Sequence, residues 1–218
     1  MAYTGDVQVG GPADVHELTD LMISKVAVGP MNNNAYLLRC RSTGEQLLID
    51  AANEPETLLD LIGSDGIGSV VTTHRHGDHW QALAPVVEAT GARTYAGRHD
   101  AEGIPVATDE LVDDGGTVRV GDVELTARHL VGHTPGSIAL VYDDPHGHPH
   151  LFTGDCLFPG GVGNTHDDPE AFASLLNDVE TKLFERLPDE TWVYPGHGGD
   201  TTLGNERPHL AEWRERGW

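Results

Sequence analysis

Three histidines and an aspartate are concentrated in a six-residue segment of the chain. The segment has the pattern His-x-His-x-Asp-His, formed by His74, His76, Asp78 and His79. It follows residues 69–72, whose Ser-Val-Val-Thr sequence predicts a buried strand. A strand that ends in this way brings imidazole nitrogens and a carboxylate into one small volume. Zinc, iron and manganese all accept such ligands, so the pattern predicts a metal site.

Three further polar residues stand in glycine-rich turns that follow hydrophobic stretches. They are His133, Asp155 and His197, and each is directly preceded by a glycine. A residue without Cβ lets the backbone turn sharply and pass close to a metal. With the first segment, these residues make seven candidate ligands.

The order, spacing and flanking glycines of the seven residues resemble the metallo-β-lactamase superfamily. The similarity is greatest to its glyoxalase II (hydroxyacylglutathione hydrolase) and persulfide dioxygenase branches, and extends from about residue 24 to residue 199. It implies an α/β fold, the αββα four-layer sandwich. It also implies two divalent metal ions, with zinc expected and iron or manganese as alternatives. By this resemblance, the first ion is held by His74, His76 and His133, the second by Asp78, His79 and His197, and both by Asp155.

The resemblance implies a hydrolase that cleaves a small thioester or ester. Two cations lower the pKa of a shared water toward neutrality, which generates hydroxide beside an acyl carbonyl. A thiolate leaving group needs no strong general acid, which suits a thioester. We expect Asp78 to have a catalytic role as well, by orienting the hydroxide through a hydrogen bond.

Other branches of the superfamily give alternative functions. In a persulfide dioxygenase, a single iron is held by residues that match His74, His133 and Asp155. A lactonase or an RNA-processing nuclease would use the same ligands, but a net charge of −22 disfavours the nuclease. Family β-lactamases usually have cysteine where Asp155 stands, and diiron flavoproteins have glutamate in place of His76, so both are disfavoured.

Loops around the predicted centre supply candidate substrate contacts. We expect Asn33, Tyr36, Phe158 and Asn164 to contribute, although Asn33 could equally cap a turn. Asn164 occupies the place where many glutathione-using relatives have arginine. A thiol other than glutathione, or an ester without its glycine carboxylate, is therefore expected to fit an acidic rim better.

Several other histidines, and Cys156, are interpreted as structural. The tract that contains His148 lies between two predicted strands and is read as a hairpin turn. His129 is expected in a strand, and His99 and His209 on the surface. Cys156 is assigned to packing because a side chain adjacent to a ligand on a strand end points away from it.

The composition indicates a single domain without a disulfide framework. The chain has 218 residues, which we divide into an N-terminal arm, residues 1–20, and a metallo-β-lactamase-like domain, residues 21–218. The strong negative charge disfavours nucleic acid and anionic membranes as partners. Apolar runs are too short to span a membrane and no signal peptide is recognisable, so we expect a cytoplasmic protein. Cys40 and Cys156 lie far apart in the sequence.

Hydrophobic periodicity and turn residues place the secondary structure. We predict β-strands at 22–28, 35–40, 46–49, 69–72, 93–96, 117–120, 123–130, 138–142, 150–153 and 192–194. Helices are expected at 54–62 and 80–90, and a third opens at Pro169 with Asp168 as its N-cap. We expect Trp213 and Trp218 to dock on the same domain; exposure of both would favour a homodimer or a lid.

Overall fold

The computed structural model describes residues 2–217 and contains two mixed β-sheets. The first sheet has the strands β1 (Asp14–Glu17), β2 (Leu21–Val28), β3 (Asn33–Cys40), β4 (Gln46–Ile49), β5 (Ser69–Thr72), β6 (Arg93–Gly97) and β7 (Glu110–Val112). The second has β8 (Thr117–Val120), β9 (Val123–His129), β10 (Ile138–Tyr142), β11 (His150–Gly154), β14 (Trp192–Pro195) and β15 (Thr201–Thr202). A small hairpin pairs β12 (Leu157–Phe158) with β13 (Gly161–Val162).

Helices cover the outer faces of both sheets. They are α1 (Pro55–Ile62), α2 (Leu83–Thr90), α3 (Pro169–Val179), α4 (Leu203–Glu206) and α5 (Leu210–Arg216). Within residues 2–217, no helix has the length and apolar character that a membrane span requires.

Each sheet contains parallel strands, and their carboxyl ends define one edge of the sandwich. In the first sheet, β4, β5, β6 and β7 run parallel to one another. In the second, β11 and β14 form a parallel pair. The carboxyl ends of parallel strands meet at the same edge, so residues that follow β4, β5, β11 and β14 can converge there.

Three apolar layers lie between the four layers of helices and sheets. The layer between the sheets includes Leu38, Leu125 and Phe152, all fully buried. A second layer packs α1 and α2 against the outer face of the first sheet, and a third packs α3 and α5 against the second sheet. Both sheets are therefore covered by helices on one face and by each other on the other, which confirms the predicted αββα sandwich.

The predicted elements agree with the structure over most of the chain. Asp168 caps α3 by accepting hydrogen bonds from the backbone amides of Glu170 and Ala171. The helix expected at 80–90 begins later, at Leu83, because residues 77–79 form a short 3₁₀ turn. Trp213 is 1% exposed and docks in the layer beside α3, whereas Trp218 lies outside the described residues.

The segment expected to be an N-terminal arm contributes a strand to the first sheet. β1 pairs antiparallel with β2, with Asp14 opposite Lys25. Its sequence, Asp-Val-His-Glu, is polar, and its side chains are half-buried or exposed. An edge strand of this kind lacks the alternation of apolar and polar residues by which a half-buried strand is recognised.

A buried lysine joins the N-terminal segment to the loop that follows β14. Lys25 lies on the same face of β2 as Leu21 and Ile23, so it points between the sheets. Its Nζ donates to the carbonyl oxygens of Gly5, at 2.7 Å, and Gly198, at 2.8 Å, and to Asp200 Oδ1 at 2.6 Å. The side chains of Lys25 and Asp200 are 0% and 1% exposed. All three ammonium protons therefore have acceptors, as a buried charge requires.

Lys25→Met is expected to destabilise the fold. Methionine fills a similar volume but leaves the Asp200 carboxylate buried without its cation, which typically costs about 3–5 kcal/mol of unfolding free energy. Urea unfolding followed by circular dichroism measures the change. The other lysine of the chain is the control: Lys182 pairs with Asp178 in a partly exposed position, so Lys182→Met is expected to cost about 1 kcal/mol or less. Equal losses in the two variants would contradict a special role for Lys25.

Candidate metal centre

The seven predicted ligands meet at the edge formed by the carboxyl ends of the parallel strands. His74 follows β5, Asp155 follows β11, and His197 follows β14. Backbone hydrogen bonds join the two sheets here: Ile138 N donates to Thr73 O at 2.9 Å. Asn34 N likewise donates to Gly196 O at 2.7 Å. The positions of the ligands are thus fixed by the main chain of both sheets.

His74, His76 and His133 form one compact group of donors. His74 Nε2 lies 3.1 Å from His76 Nδ1 and 3.3 Å from His133 Nε2, and the last two atoms are 3.0 Å apart. Zinc binds imidazole nitrogen at about 2.0–2.1 Å in tetrahedral geometry, which separates two such nitrogens by roughly 3.3 Å. The spacing of the three nitrogens therefore fits a single cation.

Asp78, His79 and His197 form a second group beside the first. Asp78 Oδ2 is 3.5 Å from His79 Nε2 and 3.3 Å from His197 Nε2. Each ligand atom in the group lies within 4.8 Å of the others. The donor set of two imidazoles and one carboxylate suits zinc, iron or manganese.

Asp155 lies between the two groups and approaches both. Its Oδ1 is 3.2 Å from His79 Nε2, and its Oδ2 is 3.5 Å from His197 Nε2. The same Oδ2 is 3.9 Å from His74 Nε2 and 3.7 Å from His133 Nε2. This carboxylate is the shared element of the arrangement.

Hydrogen bonds on the outward nitrogens orient four of the imidazoles. His133 Nδ1 is 2.8 Å from the Asn164 carbonyl, and His197 Nδ1 is 3.1 Å from the Met31 carbonyl. A carbonyl can only accept, so each Nδ1 carries the proton and each Nε2 presents its lone pair to the centre. His74 Nδ1 is held by the Thr73 hydroxyl, and His79 Nδ1 by the Asp50 carboxylate.

Asp50 is the main supporting carboxylate of the centre, and it is 2% exposed. Its Oδ1 accepts from Thr73 N and its Oδ2 from Thr73 Oγ1, both at 2.8 Å. Oδ2 also lies 2.8 Å from His79 Nδ1. Because the Thr73 hydroxyl donates to Asp50, it accepts from His74 Nδ1 at 3.1 Å. One carboxylate thus orients a ligand in each group, the usual function of such supporting contacts.

Two buried polar atoms of the centre have no hydrogen-bond partner among the described residues: His79 Nε2 and Asp155 Oδ1. They lie 3.2 Å apart. Unpaired buried polar atoms are costly, and a cation that both atoms coordinate would satisfy them. The residues present therefore fit the metal ions that the sequence pattern implies.

The pKa values of the histidines are shifted in different directions in the two groups. Burial lowers the pKa of His74 well below its ordinary value and also lowers the pKa of His76 and His133, which leaves these three rings neutral. Burial opposes charge on His79 too, but the Asp50 and Asp155 carboxylates raise its pKa well above the ordinary value. Metal binding needs neutral imidazoles, so the raised pKa of His79 opposes binding to the second group at low pH.

Gly196 is required by close packing inside the centre. A Cβ built at this position would collide with Asp155 Oδ1 and would lie 2.7 Å from His79 Cε1. Gly154 has a similar constraint. Its φ is 50°, and a Cβ built at this position would collide with the Thr73 side chain. Glycine at these turns lets the main chain of the second sheet approach the ligands of the first.

Two of the predicted substrate contacts are buried instead. Tyr36 is 2% exposed, and its hydroxyl donates to the Pro195 carbonyl at 2.6 Å, so it supports the β14 loop and does not reach solvent. Asn33 is also 2% exposed. Its Nδ2 donates to Asp78 Oδ2 at 2.8 Å, which makes it a positioning residue for a ligand. The expectation for Tyr36 is corrected accordingly: alternation along β3 places it with Leu38 on the inter-sheet face.

Phe158 and Asn164 lie on the rim of the centre. Phe158 lines a cavity of 360 Å³ with Pro159, His197, Gly198 and Gly199. Asn164 is exposed, and its carbonyl orients His133. His166, which sequence reasoning left without a role, has its ring centroid 6.2 Å from that of His76.

Comparison with known proteins identifies the family. The sequence profile of the metallo-beta-lactamase superfamily matches residues 28–197, more than half of the chain. The chain belongs to this superfamily. A hydroxyacylglutathione hydrolase of Polaromonas sp. is 37% identical over 180 residues, which cover 81% of this chain and 66% of that protein. The predicted family and its glyoxalase II relationship are thereby confirmed.

Solved structures agree with this assignment. A crystal structure of TTHA1623 in a di-iron-bound form is 35% identical, with a TM-score of 0.68, and the match covers 84% of this chain and 96% of that chain. The crystal structure of ETHE1 from Myxococcus xanthus has a TM-score of 0.77 and 26% identity, covering 88% of this chain and 84% of that chain.

Sequence reasoning missed two buried aspartates that support the ligands, Asp50 and Asp100. Asp100 is 0% exposed and accepts hydrogen bonds from Arg75 N at 3.0 Å and from Gly136 N at 2.9 Å. It therefore ties the motif loop to the loop that carries His133. Asp50 follows directly after the apolar strand β4, and a carboxylate in that position is the one signal that could have indicated it.

Asp155→Ala is expected to abolish metal loading and turnover, because Asp155 is the carboxylate that approaches both groups. Metal content per chain, measured by inductively coupled plasma mass spectrometry on protein purified without chelator, provides the test. His148→Ala serves as the control, since His148 lies in a turn away from the ligand groups, and full metal content is expected. Wild-type metal content in Asp155→Ala would remove the bridging role.

Asp50→Asn is expected to weaken metal binding by roughly 10–100-fold, the usual effect of removing a supporting contact. Asparagine keeps the shape and tolerates the left-handed backbone of this residue, whose φ is 58°. The substitution removes the negative charge and replaces one acceptor oxygen with an NH2 donor, so the contacts with Thr73 and His79 cannot all be kept. Competition with a chromophoric chelator measures the affinity. Asp144→Asn, in the turn where Asp144 accepts from His146 N, is the matched control, and an equal loss there would show a general effect on folding.

Proposed function

We propose that this protein is a binuclear metal-dependent hydrolase that cleaves a small thioester. The observation that supports this most strongly is the position of Asp155 between two complete three-ligand groups. The hydroxyacylglutathione hydrolase relatives support the same reaction class. When bound, two divalent cations, zinc being expected, would lower the pKa of a shared water and supply hydroxide near neutral pH.

The residues of the chain prepare the centre for this reaction. Asn33 holds the Asp78 carboxylate from one side, which fixes the direction of its oxygens. We assign to Asp78, besides metal binding, the role of accepting a hydrogen bond from the attacking hydroxide. Hydroxide attack on the acyl carbonyl breaks the carbon–sulfur bond, and the thiol leaves as a thiolate without a strong general acid.

The surroundings of His197 favour an uncharged or cationic leaving thiol. The 360 Å³ cavity beside His197 has the apolar residues Phe158 and Pro159 in its wall. Gly198 and Gly199 also border a cavity of 600 Å³ formed with N-terminal residues that include Asp6. Neither lining contains lysine or arginine. A thiol that carries carboxylates, as glutathione does, would find no lysine or arginine side chain in these linings to pair with.

This proposal predicts a preference among thioesters with the same acyl group. Metal-loaded protein is expected to hydrolyse a thioester of N-acetylcysteamine with at least about 10-fold higher kcat/KM than the corresponding glutathione thioester, equivalent to about 1.4 kcal/mol. Release of thiol, followed with a chromogenic disulfide, measures the rate. A preference for the glutathione thioester would contradict the proposed leaving group, whereas failure to hydrolyse either thioester would contradict the hydrolase itself.

A persulfide dioxygenase is the second candidate, because His74, His133 and Asp155 also form a compact set. Their facing donor atoms lie within 3.9 Å of one another. One iron per chain, with oxygen consumption on addition of a persulfide and no thioester hydrolysis, would favour this function. About two metal ions per chain with thioester hydrolysis would favour the first.

A further inference from the structure

A cavity of 820 Å³ lies on the outer face of the second sheet. Thr126 and Arg128 of β9 border it, together with Val141 of β10. Leu125 and Ala127, the alternate residues of β9, are buried between the sheets, so Thr126 and Arg128 point outward. The lining includes none of the seven metal ligands.

The cavity and the metal centre lie at different ends of β11. Pro149, which borders the cavity, directly precedes β11, whereas Asp155 directly follows it. The strand has five residues, so these two positions are roughly 20 Å apart. Tyr142, the last residue of the antiparallel neighbour β10, borders the cavity as well. A molecule bound here would therefore be distinct from the substrate of the metal centre.

The lining contains two arginines, Arg128 and Arg186, that differ from every other cationic side chain of the protein. Of the 13 lysines and arginines, all but these two have a carboxylate oxygen within 4.0 Å. Neither of the two forms an ion pair with any of residues 2–217. Carboxylates are abundant in a chain of net charge −22. The presence of both unpaired cations in one cavity is thus a specific feature of this surface.

Acidic residues of the same lining have other partners. They pair as Asp20 with His146, Asp122 with the Ser42 hydroxyl, and Glu124 with Arg119. The remaining acidic residue, Asp143, is exposed and lies beyond ion-pair distance of both arginines. The carboxylates around the cavity therefore leave the two guanidinium groups available to a ligand.

The segment that carries Arg186 is held in place by Arg207. The Nη1 atom of Arg207 donates to the Phe184 carbonyl at 2.8 Å, and its Nη2 atom donates to the Leu187 carbonyl at 3.3 Å. Arg186 N also donates to the Leu183 carbonyl at 3.1 Å. Because these contacts fix the main chain on both sides of Arg186, the wall of the cavity is preformed.

The same segment is attached to β9 beside Arg128. Lys182 Nζ donates to the carbonyl of His129, the residue after Arg128, at 2.6 Å. Arg186 lies four residues beyond Lys182, about one helical turn, and residues at this spacing share one side of a helix. The two arginines thus border the cavity from a strand and from a turn whose separation is set by a hydrogen bond.

Two guanidinium groups from different elements suit a phosphate group. Each presents N–H donors in a planar fork that matches oxyanions. A terminal phosphate has three oxygens and can accept from both forks at once, whereas the two oxygens of a carboxylate match one fork. Leu187, Pro188 and Pro149 add apolar surface for an organic group. The volume lies in the usual range for small-molecule sites, about 300–1,000 Å³.

We propose that this cavity is a binding site for a small phosphorylated organic molecule, whose phosphate is held by Arg128 and Arg186. The site is separate from the metal centre, and the inference does not rest on the proposed hydrolase.

Calorimetric titration of the metal-loaded protein with phenyl phosphate tests the site. The wild type is expected to bind with a Kd of about 1 mM or lower, and Arg128→Gln/Arg186→Gln to bind at least about 10-fold more weakly. Arg93→Gln/Arg98→Gln is the matched control. It removes the same charge from two exposed, ion-paired arginines outside the lining, and a change of less than about 2-fold is expected.

Thr126→Glu tests the site without removing either arginine. Its carboxylate would lie on the same face of β9 as Arg128, two residues away, and would compete with the phosphate. A loss of binding similar to that of the double arginine variant is expected, with circular dichroism confirming that both variants are folded.

Three outcomes would overturn the assignment. The first is the absence of phenyl phosphate binding by the wild type. The second is an equal loss in the control variant, which would show a general effect of charge. The third is binding that survives in both cavity variants, which would place the probe elsewhere, the metal ions included.

Two further probes test the ligand class. Benzoate has the same ring with a carboxylate, and inorganic phosphate has no organic group. Both are expected to bind more weakly than phenyl phosphate. Benzoate binding as tight as that of phenyl phosphate would contradict the choice of phosphate, and equally tight binding of inorganic phosphate would contradict the role of the apolar wall.

Discussion

The arrangement of the metal centre depends on the buried carboxylate of Asp50. It receives three donors, the amide and hydroxyl of Thr73 and the His79 ring. Through the Thr73 hydroxyl it also determines which nitrogen of His74 carries the proton. A buried carboxylate is stable only with such partners. The same contacts that compensate its charge therefore join β4 to β5 and present one imidazole to each group.

The ligands could be predicted from sequence because their signal is local, whereas their supports could not. The His-x-His-x-Asp-His segment and the turns at His133, Asp155 and His197 each stand out within a few residues of chain. Asp50 contacts His79 across 29 positions and Asn33 contacts Asp78 across 45. The sequence around Asn33 does not show whether this residue positions a carboxylate or caps a turn. Their function follows from the sheet register, which sequence patterns do not supply.

The fold shows the same distinction between local and distant signals. Apolar strands such as β5 and β10 have the predicted bounds because burial on both faces leaves a continuous hydrophobic run. β1 has no such run and is a strand only because β2 offers it an edge. Tyr36 was assigned to the rim by its closeness to the Asn33 turn. The two-residue period of β3 was the better guide, since it directs Tyr36 between the sheets.

Different parts of the centre are held by different kinds of contact. His74, Asp155 and His197 lie just after strands whose ends are joined across the two sheets by main-chain hydrogen bonds. The rim consists instead of the β12–β13 hairpin and the loop before α3, and the Asn164 carbonyl in that loop orients His133. A backbone carbonyl is available from any residue type, so the side chain at position 164 can change without loss of the support for His133. Here the asparagine side chain accepts a hydrogen bond from His166 N. Side chains in this loop can therefore differ without altering the main-chain contact that orients His133.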